Sequence, residues 1–157
     1  MKIYLASSWR NKDAVLVMAK KLQLEGHVVD AFCDEIRRIS FNWDELLDIM
    51  TREGNDLATL DAKEMMGHWR VRAAFEEDKK YLDWADAIIM LMPCGRSAHL
   101  EAGYAAGSGK LLYIVGGFEP GEFETMYGFA TGMYYYKEIY ELLAELKQQD
   151  RTLYDGQ

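Results

Sequence analysis

The chain has little of several things, and each shortage excludes a class of protein. Only two cysteines, Cys33 and Cys94, occur in 157 residues. They have neither metal-site spacing nor enough companions for a disulfide framework, so both read as free thiols. Basic residues are outnumbered, 18 Lys and Arg against 26 Asp and Glu, for a formal charge of -8 and a pI near 4.9. That balance argues against a general affinity for nucleic acid, whose phosphates demand a basic surface. A small anionic ligand is still compatible, because a few local donors outweigh net charge. No apolar run approaches the roughly 20 residues needed to cross a bilayer, and no membrane partner is expected. The opening MKIYLASSWR is already a strand and turn rather than a secretory leader, which makes a cytoplasmic location the expectation. Three histidines without paired spacing give no case for a metal. No Gly-x-Gly-x-x-Gly follows the first strand, which speaks against a redox dinucleotide enzyme. Neither metal nor cofactor is expected.

What is there is half apolar, enough to fold, and the length suits one compact domain over 1–157. Lys2 to Ala6 and Val28 to Phe32 are short apolar runs. Between them Val15, Met18, Ala19 and Leu22 recur at spacings of three and four, giving a β-α-β unit with Gly26 at the helix end. Residues 33–68 are the least readable, with a helical stretch near Asp44 to Met50, and are expected to form an insertion over the sheet edge. Helical periodicity returns from Trp69 to Ala85, with His68 at its start. Ala87 to Met92 then reads as a strand, Ser97 to Ser108 as a helix and Leu111 to Val115 as a strand. A last strand near Met133 to Tyr136 and a helix from Lys137 to Lys147 complete the pattern; only the tail after Gln148 reads as loose. Strands alternating with helices imply a mainly parallel, five-stranded sheet covered on both faces, an α/β doubly wound sandwich.

Two acids stand on apolar stripes. On a wheel at about 100° per residue, Val71, Ala74, Phe75, Leu82 and Ala85 form one stripe with Asp78 in its middle. Glu101 shares a face with Ala98, Ala102 and Ala105, and Ser97 reads as the N-cap of that helix. A carboxylate in such a stripe costs free energy unless it is paired, hydrogen-bonded or protonated. The plain alternative is that Glu101 bonds backbone amides near its helix start and that Asp78 pairs with a core Tyr or Arg. Topology adds weight to a site. For the strand order 2-1-3-4-5, ligands bind beyond the carboxyl ends of the first and third strands, where the order reverses. The loops meeting there are ASSWRN and PCGRS. Both lead into helix N-termini that favour an anion, and they carry Ser7, Ser8, Arg10, Gly95, Arg96 and Ser97 as donors or close backbone for a phosphate or sugar hydroxyls.

IYLASS, DKKYLDWADAIIMLMP and HLEAGYAAGSGK together resemble the nucleoside 2-deoxyribosyltransferase family and its nucleotide N-glycosidase relatives. The resemblance covers roughly the first 30 residues and residues 70 to 120. It implies a flavodoxin-like, Rossmann-like domain that cleaves the N-glycosidic bond of a nucleoside or nucleotide. It places the family nucleophile at Glu101, the acid that assists the base at Asp78, and a tyrosine that orients the nucleophile at Tyr4. A Ser-x-Arg that binds a 5′-phosphate corresponds to Ser8-Trp9-Arg10, and the serine before the nucleophile to Ser97. Cys94-Gly95-Arg96-Ser97 departs from the Asp-x-Gly-Thr common in the transferases, and Ser7 stands where Gly-Pro is frequent. Those departures shift the expectation from base exchange toward a phosphorylated substrate.

The chemistry follows from the residues. Glycosidic cleavage builds positive charge on the sugar, which a carboxylate beneath C1′ stabilises or captures; a second, protonated acid donates to the leaving base. Glu101 and Asp78 fit these roles, with Asp86 a weaker second acid because it starts a strand. Phe41, Trp43 and Trp9 are candidates to stack on the base, or equally to pack as core or lid. The Met- and Tyr-dense segment GEFETMYGFATGMYYY reads as core or as an interface, with Met126 or Tyr127 reaching a neighbour's site. The resemblance implies a homodimer or higher homo-oligomer. The small-molecule partner expected is a nucleotide or nucleoside. Exchange on free nucleosides, cleavage of NAD and a nucleotide sensor without chemistry stay open as alternatives.

Overall fold

In the computed structural model, residues 1–34, 43–56, 59, 61–118, 121 and 123–155 are described. The first strand, β1 (Lys2–Ala6), ends in a short 3-10 turn, Trp9–Asn11, that leads into α1 (Lys12–Leu24) and β2 (Val28–Ala31). Two helices follow, α2 (Trp43–Arg52) and α3 (Ala62–Gly67), then α4 (Trp69–Trp84), β3 (Ala87–Leu91), α5 (Arg96–Gly107) and β4 (Leu111–Gly116). A 3-10 segment, Thr125–Phe129, precedes β5 (Gly132–Tyr135), and α6 (Ile139–Asp155) closes the order after one more 3-10 turn. All four strand pairings are parallel, in the order β2-β1-β3-β4-β5. This is a doubly wound, Rossmann-like α/β fold, as the alternating pattern implies. Among the described residues no helix is long and apolar enough to cross a membrane.

Alternation along each strand sorts the two cores. Ile3, Leu5, Val29, Ala31, Ile89, Leu91 and Val115 face α1 and α6, where Val15, Met18, Leu22, Leu142 and Leu146 meet them. Tyr4, Ala6, Ile88, Met90 and Ile114 face the other way, toward Leu82 and Ala85 at the end of α4 and Ala98, Ala102 and Ala105 of α5. The continuous burial of β3 on both faces reflects its central place and its unbroken apolar run AIIML.

Several local expectations are corrected. Phe75 is not part of a buried stripe: it is 58% exposed, and Leu82 is the buried residue of α4. The packing is confined to the last turns of the helix, because only they lie on the sheet. Ser97 does not cap α5; Gly95 holds the N-cap position and Ser97 is the second helical residue, exposed. The tail after Gln148 is not loose but continues α6 to Asp155, with Asp150 2.8 Å from the Met1 amino group. His68 does stand at a helix start, its ring accepting from the Arg70 N–H at 3.3 Å. Of the proposed insertion, Phe41 lies outside the described residues, and Trp43 opens α2.

Candidate active site

The carboxyl ends of β1 and β3 are stitched together by side chains of the first loop and backbone carbonyls at the end of β3. Ser7 Oγ donates to the Leu91 carbonyl at 2.8 Å, and Asn11 Nδ2 donates to Ser7 Oγ at 3.2 Å and to the Met92 carbonyl at 3.3 Å. Tyr136 OH also donates to the Met92 carbonyl. Ser7 is therefore committed to holding the switch point rather than presenting its proton to a ligand. Ser8 caps the 3-10 turn, accepting from the Arg10 N–H at 3.3 Å, which leaves its own O–H to donate outward. Arg10, Arg96 and Ser97 are exposed around this crevice. Trp9 is 43% exposed and sits edge-on against Phe32, ring centroids 5.4 Å apart.

On the α4/α5 side, a polar contact joins the two helices that carry the acids. Tyr104 OH of α5 donates to Asp83 of α4, and Lys79 Nζ reaches Tyr104 OH at 3.2 Å and Asp83 at 2.5 Å. These partners hold the Asp83 carboxyl below its ordinary range, chiefly through the Lys79 hydrogen bond and then that of Tyr104. Both helices descend from the carboxyl ends of the strands. Asp78 lies five residues above Asp83 and Glu101 three above Tyr104, or about 7.5 and 4.5 Å higher at 1.5 Å per residue. Both acids thus lie toward the carboxyl ends of the strands from the contact that joins the two helices. Each is half-buried, Asp78 one turn before buried Leu82 and Glu101 between the buried Ala98 and Ala105. Tyr4, fully buried, rises from β1 on the same face, two residues below its carboxyl end. Asp86 is elsewhere. It precedes β3 at the opposite end of the sheet, and its carboxylate accepts from the Lys2 N–H at 2.7 Å, pinning the start of β1.

Tyr127 does not reach toward a neighbour: it is 6% exposed, with its hydroxyl 3.0 Å from His99 Nε2 and its ring stacked on that imidazole. Met126 beside it is exposed. His99 itself was passed over in the sequence, where lack of metal spacing dismissed it. Its position on α5, two residues before Glu101 and five after Cys94, was the available signal. Asn11 carried none, being one polar residue among several in its loop. Among the described residues no three His, Cys, Asp or Glu side chains are grouped to hold a metal ion.

In sequence, no family model and no curated protein matches the chain. In structure, it is similar to the CMP N-glycosidase BcmB of Clostridium botulinum, with a TM-score of 0.51 at 16% identity over 94% of this chain and 99% of that one. A conserved protein of Enterococcus faecalis V583 is similar at a TM-score of 0.60, 15% identical over 95% of this chain and 98% of that one. At such identities the likeness is one of fold, and it extends over nearly the whole length of both chains.

Proposed function

We propose that the protein cleaves the N-glycosidic bond of a (deoxy)nucleoside 5′-monophosphate. The feature that carries this reading is a pair of half-buried acids, Asp78 and Glu101, borne on the two helices that the Tyr104–Asp83 hydrogen bond joins, each toward the carboxyl end of the sheet from that contact. Glu101 attacks C1′ as the bond to the base breaks, forming a glycosyl ester; Asp78 gives its proton to the departing base. Water then opens the ester, leaving the sugar 5-phosphate and restoring Glu101. The Tyr4 hydroxyl orients the nucleophile. Ser8, Arg10, Arg96, Ser97 and the amides after Gly95 hold the phosphate, and Trp9 borders the base. The fold likeness to a CMP N-glycosidase supports the reading, and the resemblance in the sequence points the same way.

The test is chromatographic detection of free base from a panel of nucleoside 5′-monophosphates, with the free nucleosides and NAD alongside. Base release is expected from at least one monophosphate. Glu101→Gln, which keeps shape and removes the nucleophile, is expected to lower turnover about a thousandfold or more. Tight nucleotide binding without release, or undiminished turnover in Glu101→Gln, would refute the mechanism.

A further inference from the structure

Asn11 stands at the N-cap of α1, where an asparagine side chain ordinarily accepts from an N–H of the first helical turn. Here it makes no such bond. The side chain turns across the switch point instead, where Nδ2 donates to Ser7 Oγ at 3.2 Å and to the Met92 carbonyl at 3.3 Å. Those two neighbours fix which way round the amide lies. The Met92 carbonyl can only accept, and the Ser7 proton is spent on the Leu91 carbonyl at 2.8 Å, so Ser7 Oγ also faces the amide as an acceptor. A flipped amide would set oxygen against oxygen at both contacts. Nδ2 therefore points at the stitch and Oδ1 points away from it. Among the described residues nothing donates to Oδ1, and it is not one of the side-chain atoms buried without a partner, so solvent reaches it. Forgoing the cap costs helix stability and leaves free an acceptor that capping would have consumed.

An amide oxygen at this place is selective. It takes a proton from a hydroxyl or an amine and repels the oxygens of a phosphate. Asn11 directly follows Arg10 in the first loop, and Ser8 and Arg10 are donors that the proposed function gives to the 5′-phosphate. In a nucleoside 5′-monophosphate the group joined to the phosphate is the sugar, with its ring hydroxyls; the base and its amines lie on the far side. Resting on that reading of the site, we propose that Asn11 is a specificity-determining residue whose Oδ1 accepts a hydrogen bond from a hydroxyl of the substrate's sugar ring. The substrate class is thereby narrowed to nucleotides that carry that hydroxyl.

Titration calorimetry in a Glu101→Gln background measures binding without turnover. The probes are whichever ribo- or deoxyribonucleoside 5′-monophosphate binds most tightly, together with its analogues lacking one further ring hydroxyl. Removing the hydroxyl that Asn11 reads is expected to weaken binding about tenfold, the effect of one neutral hydrogen bond. With Asn11→Ala added, the full nucleotide and that analogue are expected to bind within about twofold of each other. A merely structural role would weaken both alike and leave the tenfold ratio standing. Asn11→Ser, whose short hydroxyl suits the N-cap of α1 and does not span to Met92, is expected to give the same equalised ratio, and it serves if Asn11→Ala does not fold. Affinity indifferent to every ring hydroxyl, or a ratio unchanged in the folded variants, would overturn the proposal. Base release is scored separately. A ratio lost with Asn11 in a protein that releases no base refutes the reaction and upholds the hydroxyl contact, and base release with an unchanged ratio does the reverse. No binding of any nucleotide refutes both.

Discussion

Gly116 ends β4 directly beside Met92, and a Cβ built there would come 2.5 Å from the Met92 Cβ. Neither atom belongs to a flexible tip, so Gly116→Ala must push apart the ends of β3 and β4. Overpacking of this kind costs about 1–3 kcal/mol. At about 2–4 °C per kcal/mol for a chain of this size, calorimetry is expected to show a clear fall in melting temperature. The Met92 carbonyl also accepts from Asn11 and Tyr136, so the same push disturbs the switch point. A second residue tests the proposed separation of phosphate recognition from chemistry. Arg10 is exposed, and in the proposed reading its loss would remove a charge-assisted hydrogen bond to the phosphate of about 1.5–3 kcal/mol. Arg10→Ala is expected to raise KM for a nucleoside 5′-monophosphate by roughly ten- to a hundredfold while leaving cleavage of a free nucleoside unchanged. Equal effects on both substrates would remove Arg10 from the phosphate site.

At the scale of elements, α6 carries more than its sequence pattern claims. Its last turns hold Asp150 against the Met1 amino group, and Lys147 pairs with Glu25 one turn earlier. Truncation after Gln148 is expected to lower thermal stability by about 2 kcal/mol, short of the roughly 3–5 kcal/mol of a fully buried pair because Asp150 is part-exposed. A melting temperature unchanged by truncation would show the tail to be ornamental. The polar run KQQDR hid this extension, since hydrophobic periodicity reports only what packs on the sheet and an ion pair leaves no such trace. The strands were legible for the opposite reason: AIIML and LLYIV are buried by their neighbours, and burial writes an apolar run. Phe75 misled because the wheel assumes that a whole helix lies on the core, whereas only the end of α4 does. The candidate acids stood out in the sequence because each interrupts an apolar pattern, which the structure buries around Glu101 but not along α4 before Leu82, whereas Asn11 and His99 gave no such signal. Those two act through partners distant in sequence, Met92 for one and Tyr127 for the other.

In the whole molecule the candidate site, at the carboxyl ends of the strands, lies away from an ionic knot at the opposite end, where β1, β2 and α6 meet. His27 lies in that knot, 5% exposed, with Nδ1 4.0 Å from Asp150 and with the Met1 amino group, Glu25 and Lys147 around it. Burial first, then the Met1 amino charge, hold its titration below the ordinary 6.5, against the opposing pull of Asp150 and Glu25. Between 6.5 and the lowered folded value, the unfolded chain binds a proton that the folded chain refuses. Stability therefore falls as pH drops through that window and is regained above it. Glu25 acts in a separate range. The Lys147 hydrogen bond lowers its carboxyl from 4.5, so its contribution is complete above that value and is lost only as pH falls through the still lower folded one. Urea unfolding at a series of pH values from about 8 to 5 is expected to show a decline of at most about 1.4 kcal/mol per pH unit, the limit for one proton. His27→Gln, which cannot titrate, is expected to flatten that slope while leaving the separate loss below 4.5 in place. A slope that survives the substitution would assign the acid sensitivity of this edge to another group.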